Sequence, residues 1–286
     1  MGVIASARPA GRGALARLGE AAQPILSRYL GPLVARRDLL YMITWREVRI
    51  KYKQSVMGML WAVLMPAVVV LAGVAVRYGF SRVSGVRLTV ADVASVSVRA
   101  VPWAFFVATI RFATSSLVAN ANLVTKIYLP REIFPIAAML SQLVDFAAAS
   151  AVLVVLLAIM QVGVSAALWW VPVIVVVLVT LASGMGILLS AVSLFFRDVK
   201  YLVEVALTFA IFFTPVFYDA RMFGRWAPVL MLNPVAPLLE SLADVVVRHA
   251  APPLPWLAYS AVVAVAALVV SLAAFRRLEP YFAESI

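Results

Sequence analysis

Two ionisable residues stand inside runs that are otherwise apolar. Arg111 falls in the run from Pro102 to about Ala119, and Asp145 in the run from Phe134 to Met160. A charge held in hydrocarbon costs several kcal/mol unless it is paired or wetted. At 1.5 Å per helical residue, Arg111 lies roughly 14 Å from one end of its run and Asp145 roughly 15 Å from the start of its own. If the two runs cross in opposite directions, both residues reach mid-depth. The spacing predicts that Arg111 and Asp145 are close partners, or that both face a wet cavity. Two roles remain open for them: a staple between neighbouring helices, or a contact to an anionic substrate group.

Three further stretches carry usable side chains. Asn120–Pro135 (NANLVTKIYLPREIFP) joins the two runs, and its Lys126, Arg131 and Glu132 keep it out of hydrocarbon. Pro130 and Pro135 divide it into a short helical piece and a bend. Such a connector is either a solvated turn or a place where force enters from outside the membrane. Arg36–Ser55 (RRDLLYMITWREVRIKYKQS) sets Tyr41, Trp45, Val48 and Tyr52 on one helical face, with Asp38 as its cap and Arg46, Arg49 and Lys53 in a basic stripe beside it. That pattern suits a helix lying in the headgroup layer, or one docked on a partner protein. Phe209, Phe212, Phe213, Phe217 and Tyr218 crowd a later run, with 209, 213 and 217 at spacings of four. Aromatic stripes of this kind pack helices together, or offer faces on which sugar rings stack.

The elements that must position these residues are membrane helices. Of 286 residues, 65% are hydrophobic and 13% charged, and the mean hydropathy is +1.03. A soluble domain is nearer half apolar and a quarter charged. Six crossings are predicted: Met57–Tyr78, Pro102–Ala119, Phe134–Met160, Leu168–Phe195, Tyr201–Tyr218 and Trp256–Phe275. Gly79–Ala100 reads as a polar loop. Ser183-Gly184-Met185-Gly186 would allow close helix contact. Asp219–Pro255 holds short apolar pieces cut by Pro228, Pro234 and Pro237, so it reads as re-entrant or interfacial. The whole is an all-α integral membrane protein.

Charge distribution orients it. Ten of the 24 Lys and Arg precede Met57, and pairs lie in the connector, near Arg197 and after Phe275. The positive-inside rule places these regions and both termini in the cytoplasm. The net charge of +11 sits near span ends, which points to phosphate headgroups and away from nucleic acid. The chain has no cysteine and one histidine, His249, so no thiolate metal site and no Ser-His-Asp set are expected. It has no G-x-x-x-x-G-K-[ST], so ATP binding through a P-loop is not expected. Six crossings are few for a large substrate, and a symmetric dimer would suit better.

The stretches Arg37–Pro66, Val101–Phe106, Ser116–Phe146, Ser193–Glu204, Thr214–Ala220 and Leu232–Glu240 resemble, in order, the membrane subunit of ABC-2 type exporters. The resemblance is in particular to the polysaccharide branch, which exports O-antigen, teichoic acid, capsule, galactan or related lipid-linked glycans. The resemblance implies a tail over residues 1–35, an amphipathic interface helix over 36–56, a six-span domain over 57–275 and a cytoplasmic tail over 276–286. Within the domain it implies a coupling helix over 120–135 and re-entrant gate helices over 214–250. Lys126, Ile127, Tyr128, Leu129, Pro130, Arg131 and Glu132 would then contact a separate ATPase. Arg46, Arg49, Lys51 and Lys53 would meet a lipid pyrophosphate or headgroups. Trp61, Phe105, Phe209, Phe213, Phe217 and Tyr218 would line the path. Two copies of the chain and two ATPases, which hold ATP and magnesium, would export a lipid-linked glycan across the bacterial cytoplasmic membrane. Drug or lipid efflux is the alternative within the superfamily, and a channel or secondary transporter working alone is the alternative outside it. One departure stands out: Asp92 and Arg99 lie where family members are smoothly apolar.

Overall fold

Backbone in hydrocarbon must satisfy its own hydrogen bonds, and a single apolar run does so only as a helix. In the computed structural model, which describes residues 36–53, 60–85, 89–126 and 129–282, every regular element is helical. In order these are α1 (Arg37–Lys53), α2 (Leu60–Ser84), α3 (Val90–Ala119), α4 (Ala121–Lys126), α5 (Ile133–Ile159), α6 (Trp170–Phe195), α7 (Val199–Ala210), α8 (Ala227–Met231), α9 (Ala236–Val246) and α10 (Leu254–Leu278). Short 3-10 turns precede α6, precede α8 and follow α10. Among the described residues, four helices are long and apolar enough to cross a membrane: α3, α5, α6 with its leading turn, and α10 with its trailing one.

The bundle is built on α3, which packs against α5 and α6, while α6 packs against α10. Small residues allow the approach. A Cβ on Gly184 would lie 2.7 Å from the backbone nitrogen of Leu268, and one on Gly186 would lie 2.8 Å from the Ala113 methyl. Apolar side chains gather in two clusters. One, at the α1 end, holds Ile43, Leu117, Phe134, Ile187, Phe275 and Phe282. The other, toward the Val90 end of α3, holds Trp103, Ile174, Leu178, Leu238 and Leu239.

Two expectations are corrected. The polar loop over Gly79–Ala100 is largely helix, because α2 continues to Ser84 and α3 begins at Val90. Thr89 accepts from the Asp92 amide while Asp92 accepts from the Thr89 amide, a capping box that starts α3 well before Pro102. At 30 residues, α3 is about 45 Å long. The crossing expected over Tyr201–Tyr218 is a helix of 12 residues followed by turns. Pro215 has no N–H to donate and crowds Thr214 out of the α region, so the helix unwinds before it. The segment after it is broken, as its prolines predict: Asp219–Pro255 contains a 3-10 turn at Ala220–Trp226, then α8, then α9.

Candidate functional site

The α1 end is tied by charge. Glu132 heads α5 in helical conformation and makes no side-chain cap. Its carboxylate instead lies 3.4 Å from Nε of Arg276 near the end of α10. Beside it, Arg131 donates to the Glu279 carbonyl at 2.6 Å and lies over the Phe282 ring. Asn120 closes α3 and accepts from Arg46 of α1. The bend at Leu129–Pro130 therefore lies between two anchors, one to α1 and one to α10. Lys126 ends α4, while Ile127 and Tyr128 lie outside the described residues.

The basic stripe of α1 divides in two. Lys51 and Tyr52 both donate to Asp145 of α5, and Lys51 also donates to Gln142 at 3.0 Å. Burial, reinforced by the Asp145 carboxylate, pushes the Tyr52 hydroxyl above its ordinary value. Arg46 is engaged by Asn120 and Glu47. Arg49, over the exposed Trp45 ring, and Lys53 face outward.

Arg111 pairs with Glu204 of α7 at 2.9 Å, not with Asp145. The physical reason is that α1 packs along α5. Its last turn runs along α5 and brings Lys51 to Asp145 first. Arg111 and Asp145 nonetheless line one cavity of about 420 Å³, together with Lys51, Trp61, Trp103 and Phe105. Phe105 is buried against Phe146, with ring centroids 4.9 Å apart, whereas Trp61 is exposed.

The aromatic stripe is also corrected. Because α7 ends at Ala210, residues 209, 213 and 217 do not share a helical face. Phe209 and Phe213 are exposed. Phe217 turns inward, so close to α2 that a Cβ on Gly73 would lie 2.7 Å from its ring. The Tyr218 hydroxyl donates to the Phe212 carbonyl at 2.8 Å.

At the opposite end lies a constellation that sequence reasoning missed. Four arginines (Arg77, Arg99, Arg221, Arg248) meet four carboxylates (Asp92, Asp219, Glu240, Asp244). Asp219 is its hub. It takes Arg77 of α2 at 2.6 Å, Arg248 at 2.7 Å, and Arg99 of α3. Arg99 has no exposed surface and also reaches Glu240 of α9 at 3.0 Å. Burial alone would raise the Asp219 carboxyl; Arg99 first, then Arg248 and Arg77, bring it down to about 2. Asp92 and Arg99 were the visible signal, since a charge in an apolar approach needs a partner.

The match to known proteins follows the same frame. The family model described as ABC-2 type transporter matches residues 38–247, from the start of α1 to the end of α9. This chain belongs to the ABC-2 type transporter family. It is similar to the "O-antigen export system permease protein RfbA" of Klebsiella pneumoniae, at 27% identity over 209 residues, covering 72% of this chain and 79% of that protein. A protein of the same name from Myxococcus xanthus is 27% identical over 273 residues, covering 91% of this chain and 99% of its own length. As an ABC-2 type protein with, among the described residues, four helices long and apolar enough to cross the bilayer, it is a multi-pass membrane protein. All eight members of the charged constellation except Arg248 fall within the region that defines the family.

Proposed function

We propose that this chain is the permease subunit of an ATP-driven exporter of a lipid-linked polysaccharide, of the O-antigen, teichoic acid or galactan type. The observation that carries the proposal is the likeness, over 91% of the chain, to a relative named for O-antigen export. The geometry supports it from both ends. The α1 end, with most of the chain's Lys and Arg, is the cytoplasmic side of the inner membrane, and both termini lie there. The far end, with the broken Asp219–Pro255 segment, faces outward, and α8 and α9 dip back in as gate helices. With α2 as a crossing, and the run from α7 through the turns that follow it to Tyr218 as a broken one, the chain spans six times.

Two copies form the path, and two separate ATPase subunits drive it, holding ATP and magnesium. Each ATPase presses on the connector at Lys126–Glu132. The Arg131 and Glu132 anchors pass that displacement into α10, and the Asn120–Arg46 bond passes it into α1. Arg49 and Lys53 face the headgroup layer, where a lipid pyrophosphate would arrive. Trp61, Phe209 and Phe213 expose aromatic faces to the space between protomers. Arg111 and Asp145, each already neutralised within the chain, serve as structural charges at the cavity wall.

The test is reconstitution. The chain is co-expressed with its partner ATPase, purified and placed in proteoliposomes with lipid-linked glycans. ATP-dependent appearance of glycan on the far side supports the function. Glycan movement without the ATPase, or hydrolysis indifferent to every lipid-linked glycan, would count against it.

A further inference from the structure

Four consecutive residues between α7 and α8 are each held by a charged side chain, three in irregular backbone and the fourth, Ala220, at the start of the 3-10 turn. The Phe217 carbonyl accepts from Arg77 at 3.4 Å. The Tyr218 carbonyl accepts from Arg99 at 3.2 Å. Asp219 takes three arginines. The Ala220 amide donates to Glu240 at 2.7 Å. The stretch lies hard against α2, where Gly73 leaves no room for a Cβ between Phe217 and Val96. Irregular backbone near a membrane must have its polar groups met by protein or water. Here they are met by groups from three separate elements: α2, α3 and α9.

Apolar contact would hold these elements together with less desolvation cost, since buried ion pairs add little net stability over well-packed hydrophobes. What ion pairs add is register: they form in one arrangement and are lost together when the parts move apart. Arg77 is placed for such a change. It also holds Asp92 of α3, so it keeps a partner when Asp219 departs. Arg99 likewise keeps Glu240.

We propose that Asp219 is a positioning residue for transport, the hub of an ionic latch that seals the outer end of the path by fixing residues 217–220 against α2 and α3. The latch releases when the exporter opens and re-forms when it closes. This rests on the proposed export function for its meaning, but its test does not need the glycan.

The permease and its ATPase are reconstituted in liposomes loaded with a small anionic fluorophore, without ATP. Asp219→Asn raises the leak about tenfold, the size expected when a hydrogen bond to a charged group is lost while the arginines keep their other partners. Asp219→Glu restores the seal, a rescue that loss of packing alone would not show. An assembled Asp219→Asn exporter that leaks no more than the parent overturns the latch, as does failure of Asp219→Glu to restore the seal. If Asp219→Asn does not assemble, Arg77→Gln, which leaves Asp219 two arginines, carries the same reading: a raised leak supports the latch and an unchanged one ends it. Normal glycan export beside an unchanged leak removes the latch and leaves the function standing. A raised leak in an exporter that moves no glycan does the reverse.

Discussion

Glu132 faces Arg276 across 3.4 Å, so the connector between α3 and α5 is bonded to the last long helix of the chain. A push on the connector is therefore a push on α10, and through the close Gly184 contact on α6 as well.

The first prediction concerns that bond. Glu132→Lys sets a cation against Arg276, beside Arg131, and export falls while the ATPase hydrolyses without moving substrate. Adding Arg276→Glu restores part of the coupling. A double-mutant cycle on transport rate should give a coupling energy of about 0.5–3 kcal/mol; zero coupling would mean that the contact carries no force.

Lys51 and Asp145 fix α1 to α5, and both are largely buried. Lys51→Met leaves the Asp145 carboxylate with Tyr52 as its bonded partner among the described residues and should cost about 3 kcal/mol of stability, the lower end for breaking such a pair. Lys51→Met with Asp145→Leu removes both charges and should cost less than either change alone. Thermal unfolding of the purified protein in detergent reads both. A double variant as unstable as the sum of the singles would contradict the assignment of Lys51 as the partner of Asp145.

Gly184 meets the α10 backbone with no flexible side chain to give way. Gly184→Val should separate α6 from α10 at a cost of about 1–3 kcal/mol. Among the described residues Gly79 has nothing within 4 Å of its would-be Cβ, so Gly79→Ala should be neutral or slightly stabilising. Equal melting temperatures for the two variants would remove the close-contact argument.

Acid should spare the Asp219 hub over the whole physiological range. The Asp219 carboxyl is held at about 2, against an ordinary 3.8. A folded-state value below the unfolded one means that its contribution is complete above about pH 4 and is lost as pH falls through about 2. Arg77, Arg99 and Arg248 face this carboxylate, and Glu240 and Asp244 share those arginines. The fluorophore leak of the parent exporter should therefore stay flat from pH 7 to pH 5. A seal that opens near pH 6 would show that another group governs it.

Much of this architecture was legible in the residues. Apolar run length marked α5, α6 and α10, and the Ser183–Gly186 patch marked the contact it makes. The charges and prolines of Asn120–Pro135 marked the break between α3 and α5. Where legibility stopped has physical causes. Composition does not show where an apolar helix unwinds, so the stretch before Pro215 read as a full crossing. Polar residues in Gly79–Ala100 read as loop, because their neutralising partners are remote in the chain. Arg77 and Asp219 are 142 positions apart, and Arg99 and Glu240 are 141; no local period reports such pairs. Arg111 and Asp145 were placed at matching depth, but depth does not choose partners. Glu204 and Lys51 came from helices whose tilt the sequence does not reveal.

The most direct measurement is vectorial transport by the purified permease in proteoliposomes, with and without its ATPase. The account predicts that lipid-linked glycan crosses only when the ATPase, ATP and magnesium are all present, and that Glu132→Lys stops the crossing while hydrolysis continues. Glycan crossing driven by the permease alone, or crossing unaffected by Glu132→Lys, would contradict it.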